Sequence, residues 1–217
     1  MKYIYHHLGL GDHIICNGLS RHFQKVYDNI SIFCKPHNFE NVEYMYRDND
    51  NIKILNIGED KDVEKFIKEK NIQKDVIRVG FEFMTGGQTF DESFYVGKSL
   101  PFSMRYDEFY LERDYELEKK IVEDLNPQKE KYIFTHNVDL NKVRKDIKII
   151  ENPKKYNIFN LITLIENAEE VHLMESSIKC LVNSYKMDNP TFYYHQYVRN
   201  YSPYLNSVGL NKFKIIY

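Results

Sequence analysis

The stretch Met1–Tyr27, MKYIYHHLGLGDHIICNGLSRHFQKVY, constrains the fold of this chain more than any other. A short apolar run (Tyr3, Ile4, Tyr5) enters a glycine-bracketed turn, His7-Leu8-Gly9-Leu10-Gly11-Asp12, after which Ile15, Leu19, Phe23 and Val26 recur at helical spacing. The pattern predicts a strand, a tight turn and a helix. Gly9 and Gly11 remove side chains that would block a ligand from the turn, and the free amides of the helix start can receive an anion or a hydroxyl. Asp12 and His13 are expected at the mouth of this turn, where acid-base chemistry can be done. The dinucleotide fingerprint G-x-G-x-x-G is absent, because Ile14 stands three residues after Gly11.

Along the chain, runs of strand type at 30–34, 52–55 and 76–79 alternate with helical patterns at 39–45 and from Asp60 to about Asn71, with Asp60 as its cap. Such alternation predicts a parallel sheet covered on both sides, with ligands gathering beyond the carboxyl ends of the strands. Residues 84–113 break the rhythm with glycines, Pro101 and many aromatics. An amphipathic helix follows from Asp114 to Leu125, with Leu117, Ile121, Val122 and Leu125 facing inward. Asn126-Pro127-Gln128 stops it and is the expected domain boundary. The second half restarts the alternation, with strands at 132–134, 147–150, 171–174 and 191–194 and helices at 158–167 and 177–185. Its tail carries a helix at 196–205 interrupted by Pro203, and 213–216 returns as a last strand.

A chain of 217 residues is long enough for two small domains, and 42% hydrophobic with 29% charged residues is an ordinary globular balance. Its 30 basic and 32 acidic residues interleave, so no basic surface tracks a phosphate backbone and nucleic-acid binding is disfavoured. Cys16, Cys34 and Cys180 are odd in number and widely spaced, which reads as reduced buried thiols. No apolar run reaches about 18 residues and Met1 leads directly into a strand, so a cytoplasmic location is expected, with peripheral membrane contact left open. No H-E-x-x-H, paired C-x-x-C, G-x-S-x-G or P-loop occurs, and no metal is expected.

Leu8-Gly9-Leu10-Gly11-Asp12-His13-Ile14-Ile15-Cys16-Asn17-Gly18-Leu19 resembles the N-terminal "G-D-x-I" turn and helix of GT-B glycosyltransferases related to the ADP-heptose lipopolysaccharide heptosyltransferases. The resemblance implies two Rossmann-like domains facing a cleft, compact here, with 1–126 on the acceptor side and 127–217 binding the nucleotide sugar. It implies that Asp12 is the catalytic base. The chain departs from the family in lacking the usual Thr or Ser and Pro near Cys16 and Gly18.

A second segment, Phe94-Tyr95, Gly97, Phe102, Arg105, Phe109-Tyr110 and Arg113-Asp114, resembles the interdomain region of small GT-B-like proteins, which implies a lid or acceptor-side element. An aromatic helix pair packed on the sheet is the alternative. A third, running from Ala168 to Ser176-Ser177, resembles the donor-nucleotide segment of GT-B transferases. Local physics alone makes Ser176 a helix N-cap; the resemblance makes Glu175, Ser176 and Ser177 donor-site candidates. Thr135-His136-Asn137 occupies the corresponding turn after the first strand of the second half, where His136 can neutralise a leaving diphosphate or bond its oxygens.

The catalytic candidates are therefore Asp12 and His13, and the donor-binding candidates are Gly9, Gly11, His136, Asn137, Glu175, Ser176 and Ser177. His7, Asn17, Arg105 and Arg113 are the acceptor-side candidates. The implied activity is transfer of a hexosyl or heptosyl group from a nucleotide sugar, a co-substrate rather than a cofactor, to a hydroxyl of a glycan or lipid-linked sugar acceptor. A non-catalytic nucleotide or glycan-binding protein and a nucleotide-sugar epimerase are the alternatives.

Overall fold

The computed structural model describes residues 1–81, 88–198 and 213–217. They form two compact units, one spanning Met1–Glu112 and the other beginning at Arg113.

In the first unit, strands β1 (Lys2–Tyr5), β2 (Ile30–Cys34), β3 (Ile52–Asn56) and β4 (Val76–Arg78) make one sheet in the order β3-β2-β1-β4. Every pairing is parallel. The run Ile-Ser-Ile-Phe-Cys of β2 is buried throughout, as expected of an inner parallel strand covered on both faces. Tyr5, Leu8 and Phe33 pack with Val63 and Ile67 from a helix on one face.

The helices are α1 (Leu10–Ile15), α2 (Asn17–Tyr27), α3 (Phe39–Met45), α4 (Asp60–Glu69), α5 (Phe90–Val96) and α6 (Met104–Asp107). The single helix expected after the turn is thus divided at Cys16. The Tyr95 hydroxyl donates to the Ile15 carbonyl at 2.7 Å, a long-range bond that local periodicity does not encode. Asp60 is not the cap of α4. Glu59 caps it in a reciprocal box with Asp62, while Asp60 accepts the Tyr5 hydroxyl at 2.8 Å.

Of the aromatic stretch 84–113, residues 84–87 lie outside the described residues; 88–112 belong to the first unit and carry α5 and α6, and Arg113 opens the second. Behind β4, Gly80 has φ +81°, and an added Cβ would lie 2.3 Å from Phe94 Cε1. A left-handed backbone costs an L-residue about 1–2 kcal/mol before any clash. Gly80→Ala is therefore expected to destabilise the protein by at least about 1 kcal/mol, read as a lower urea midpoint at unchanged slope.

The second unit contains α7 (Tyr115–Leu125), β5 (Tyr132–His136), β6 (Lys148–Glu151), α8 (Ile162–Glu166), β7 (Glu170–Leu173), α9 (Ser177–Ser184), β8 (Thr191–His195) and β9 (Phe213–Ile216). Its sheet is parallel throughout, in the order β6-β5-β7-β8-β9. The units divide at Glu112/Arg113, so α7 belongs to the second and Asn126 ends a helix inside it. On α7 it is Glu118 that is fully buried, whereas Leu117 is 36% exposed. Arg113 draws Glu118 inward, as described below. The expected helix 158–167 is a tight turn at Ile158–Leu161 followed by α8. In the tail, Gln196–Val198 is a short turn, and 199–205 lie outside the described residues.

Candidate functional site

In both sheets the strand order reverses once, beside β1 and β4 in the first and beside β5 and β7 in the second. Loops leave in opposite directions at such a point and open a crevice beyond the carboxyl ends of the strands. The turn after β1 carries His6 to Asp12, the turn after β4 carries Gly80 and Phe81, the turn after β5 carries Asn137, and the turn after β7 carries Glu175 to Ser177. Most of the expected site residues thus lie at one of these two crevices.

At the first crevice Gly9 precedes α1, and a Cβ there would meet Asp12 Oδ2 at 2.7 Å. The bare glycine lets the Asp12 carboxyl fold back over the turn and accept the Gly9 amide. Half-burial pushes the Asp12 carboxyl up to about 6, against opposing pulls from His7 and the backbone amides. A carboxyl so placed gives up its proton just below neutrality, which suits a general base. Gly11 stands within the first turn of α1.

His7 Nε2 lies 2.8 Å from the Gly80 carbonyl, so it carries the ring proton and donates. Its ring rests among Phe81, Phe90 and Phe94, with centroids 4.9, 5.6 and 5.9 Å away. Of the two adjacent histidines, His7 is thus the one at the crevice, while His6 is buried.

His13 is not at the mouth. One residue advances a helix by about 100°, which turns His13 from the Asp12 side into the core. It is fully buried, its ring 4.3 Å from that of His6, and burial holds it well below the usual histidine range. A neutral, enclosed imidazole cannot exchange protons with a ligand at Asp12.

Asn17 is likewise internal. Its amide donates to the Tyr110 carbonyl at 3.2 Å and accepts the Tyr110 amide at 3.0 Å, stapling α2 to the chain beyond α6. Arg105 is fully buried in an ion pair with Asp91, between the rings of Phe102 and Tyr106. Arg113 belongs to the second unit, where it bonds Glu118 at 3.0 and 2.5 Å, Glu166 at 3.1 and 3.0 Å and Thr163 Oγ1 at 2.8 Å. With its donors spent on these partners, Arg113 ties α7 to α8 and offers nothing to an acceptor. These three acceptor-side expectations are therefore corrected: each side chain completes a core network.

At the second crevice His136 ends β5. Asn152 Nδ2 lies 2.9 Å from its Nδ1, and Asn137 Nδ2 lies 3.5 Å from its Nε2. Burial, then the positive charge of Lys154, pushes His136 down to about 4. It is neutral near pH 7, so it does not supply positive charge. Lys154, exposed and without an ion-pair partner among the described residues, carries the positive charge that acts on the His136 ring. It stands in the turn Asn152-Pro153-Lys154-Lys155, whose sequence looks like any solvated loop.

Asn137 follows His136 with φ +53°, a left-handed conformation that asparagine tolerates. Ser176 caps α9, accepting the Lys179 amide at 3.3 Å and donating to the Met174 carbonyl at 3.2 Å. Ser177 is the first residue of the helix and is half-buried. The helix hydrogen-bonding pattern leaves the first-turn amides of Ser177 and Ile178 directed beyond β7. Glu175 is held by Lys179 at 2.7 Å and by the Tyr194 hydroxyl at 3.4 Å. An anchored carboxylate repels phosphate, so Glu175 is a brace of the turn and not a phosphate ligand.

A cavity of about 650 Å³ lined by Lys119, Val122, Asn126, Tyr132 and Thr163 lies at the opposite, amino-terminal end of the second sheet and holds none of the candidates. Among the described residues no helix is long and apolar enough to cross a membrane.

No protein-family model matches the chain, and no curated protein matches it. Among solved structures it is similar to the glycosyl transferase family 9 protein from Veillonella parvula DSM 2008, with a TM-score of 0.62 over 99% of this chain and 85% of that one. Sequence identity is 10%, so the likeness is one of fold.

Proposed function

We propose that this chain is a GT-B-type glycosyltransferase that moves a hexosyl or heptosyl group from a nucleotide sugar to a hydroxyl of a glycan or lipid-linked sugar, without a metal ion. The single observation that carries the reading is Asp12, a half-buried carboxyl raised to about 6 at the carboxyl end of β1. The acceptor hydroxyl gives its proton to Asp12, its oxygen bonds the anomeric carbon, and the bond from that carbon to the diphosphate breaks. The departing diphosphate is met by the Lys154 ammonium, the neutral His136 imidazole and the first-turn amides of α9. Like fold in a glycosyl transferase family 9 protein supports the class of reaction at a coarse level.

Incubation with a panel of nucleotide sugars and sugar acceptors, followed by mass analysis, tests this reading. The expected products are a nucleoside diphosphate and an extended acceptor, formed together. Binding without turnover under every acceptor would favour a recognition protein of the same fold, and sugar isomerisation without acceptor would favour an epimerase.

The double use of Ser176 separates cap from ligand. Ser176→Ala is expected to cost about 1 kcal/mol of stability through loss of the cap. Because the helix start then frays, it should also weaken nucleoside diphosphate binding several-fold. Ser177→Ala should weaken binding with little change in melting temperature, as calorimetry and thermal unfolding on the same samples would show.

A further inference from the structure

A chain of titratable groups crosses the second sheet outside the site just described. His172 Nε2 lies 3.1 Å from Glu170 Oε2, His172 Nδ1 lies 2.8 Å from His195 Nε2, and His195 Nδ1 lies 2.7 Å from the Tyr197 hydroxyl. At the far end the Asp139 amide donates to the same hydroxyl at 3.2 Å. The two imidazoles are 2% and 1% exposed, whereas Tyr197 is 39% exposed. One end is fixed in sense, because the Glu170 carboxylate can only accept, while the Asp139 amide leaves the Tyr197 oxygen a second lone pair. With both imidazoles neutral, every proton is assigned from that end: His172 Nε2–H donates to Glu170, His195 Nε2–H to His172, and Tyr197 O–H to His195.

We propose that Glu170, His172, His195 and Tyr197 form a proton relay that takes up one proton at its Tyr197 end, stores it as a His172–Glu170 ion pair, and turns the Tyr197 hydroxyl outward to donate to an anionic phosphate. A solvent proton arriving at His195 Nδ1 takes over the bond to the Tyr197 oxygen. The proton on His195 Nε2 passes to His172 Nδ1, and His172, now carrying both ring protons, becomes the cation beside Glu170. The hydrogen bonds from His172 to Tyr197 reverse, and the Tyr197 oxygen then accepts from both His195 and the Asp139 amide, leaving its own proton free. Tyr197 follows β8 and reaches Asp139 in the loop after β5, so it borders the crevice at the end of β7. The phosphate half of the proposal rests on the reading of that crevice as a donor site.

The surrounding charges are few. Arg144 lies 3.3 Å from Glu170 Oε1, Lys142 sits 4.1 Å from the Tyr197 ring centre, and Asp139 lies at the Tyr197 end. From β9, Lys214 sits 5.3 Å from the ring centre of Tyr193, which stacks on His172 at 4.5 Å. Burial keeps both imidazoles below the usual histidine range, so the relay is empty at neutral pH and fills in acid or when an anion arrives.

Imidazole nitrogen NMR on the ligand-free wild type, titrated with and without inorganic pyrophosphate, reads the relay directly. His172 and His195 are expected to change tautomer together at one midpoint. Glu170→Gln should lower that midpoint by about one pH unit or more, through loss of the stored ion pair. Pyrophosphate should raise the midpoint in the wild type and leave it unmoved in Tyr197→Phe, an exposed and conservative change. Independent titration of the two rings, or an unchanged midpoint in Glu170→Gln, overturns the relay whatever the protein binds. A joint titration that pyrophosphate does not move overturns the phosphate role alone.

Discussion

Asp12→Asn is expected to reduce sugar transfer by about 100- to 10,000-fold, the range a positioned general base contributes, while leaving nucleoside diphosphate binding unchanged. The amide keeps the shape of the carboxyl and its bond from the Gly9 amide but cannot take a proton. The wild-type rate should rise with pH through about 6, as the raised Asp12 carboxyl ionises, and the variant should lose that rise. The same shift gives a control on folding. The folded chain holds the Asp12 proton more tightly than the unfolded chain, whose value lies near 3.8, so ionisation opposes folding as pH climbs from about 3.8 to about 6. Asp12→Asn should therefore melt higher than wild type at pH 8 and no higher at pH 3. Transfer within a few-fold of wild type would end the assignment of Asp12 as base.

The second large effect is on stability. Arg105 and Asp91 are both fully enclosed, and Asp91 also accepts the Thr89 hydroxyl at 2.6 Å and the Glu92 amide at 3.1 Å. Removing one member strands the other as a buried charge, which costs about 3–5 kcal/mol. Arg105→Met and Asp91→Ala should each produce a loss of that size by chemical denaturation. Arg105→Met with Asp91→Leu should recover part of the loss, because two apolar groups leave no charge behind. If Arg105→Met unfolds at the wild-type denaturant concentration, the pair, Asp91 on α5 and Arg105 on α6, does not tie those helices together.

The sequence made some of this legible and hid the rest for identifiable reasons. The limits of β2, α3 and β9 can be read locally, because an apolar run or a helical face is bounded there by turn residues. Asp12 was legible as well, since a carboxylate directly after a strand and two glycines has few places to go. The break at Cys16 was not: the carbonyl just before it accepts a hydroxyl from α5, a contact far away in sequence. Arg105 and Arg113 looked like acceptor-side cations because a linear reading shows a charge among aromatics and omits the carboxylate that folding brings to it. Lys154 failed in the opposite direction. It reads as a solvated lysine, and only the parallel pairing of β5 with β6 places its turn next to that of His136.

The donor site is the part of the proposal most open to a single measurement, because its phosphate contacts come from one unit. Charge-assisted hydrogen bonds contribute about 1.5–3 kcal/mol, so removing the ammonium should weaken diphosphate binding by about 10- to 100-fold. Titration calorimetry of wild type, Lys154→Met and the neighbouring Lys155→Met with nucleoside diphosphates measures this on folded protein. The predicted result is a loss of that size for Lys154→Met, with Lys155→Met close to wild type. Equal affinity in all three proteins, or no nucleotide binding by the wild type, would contradict the account.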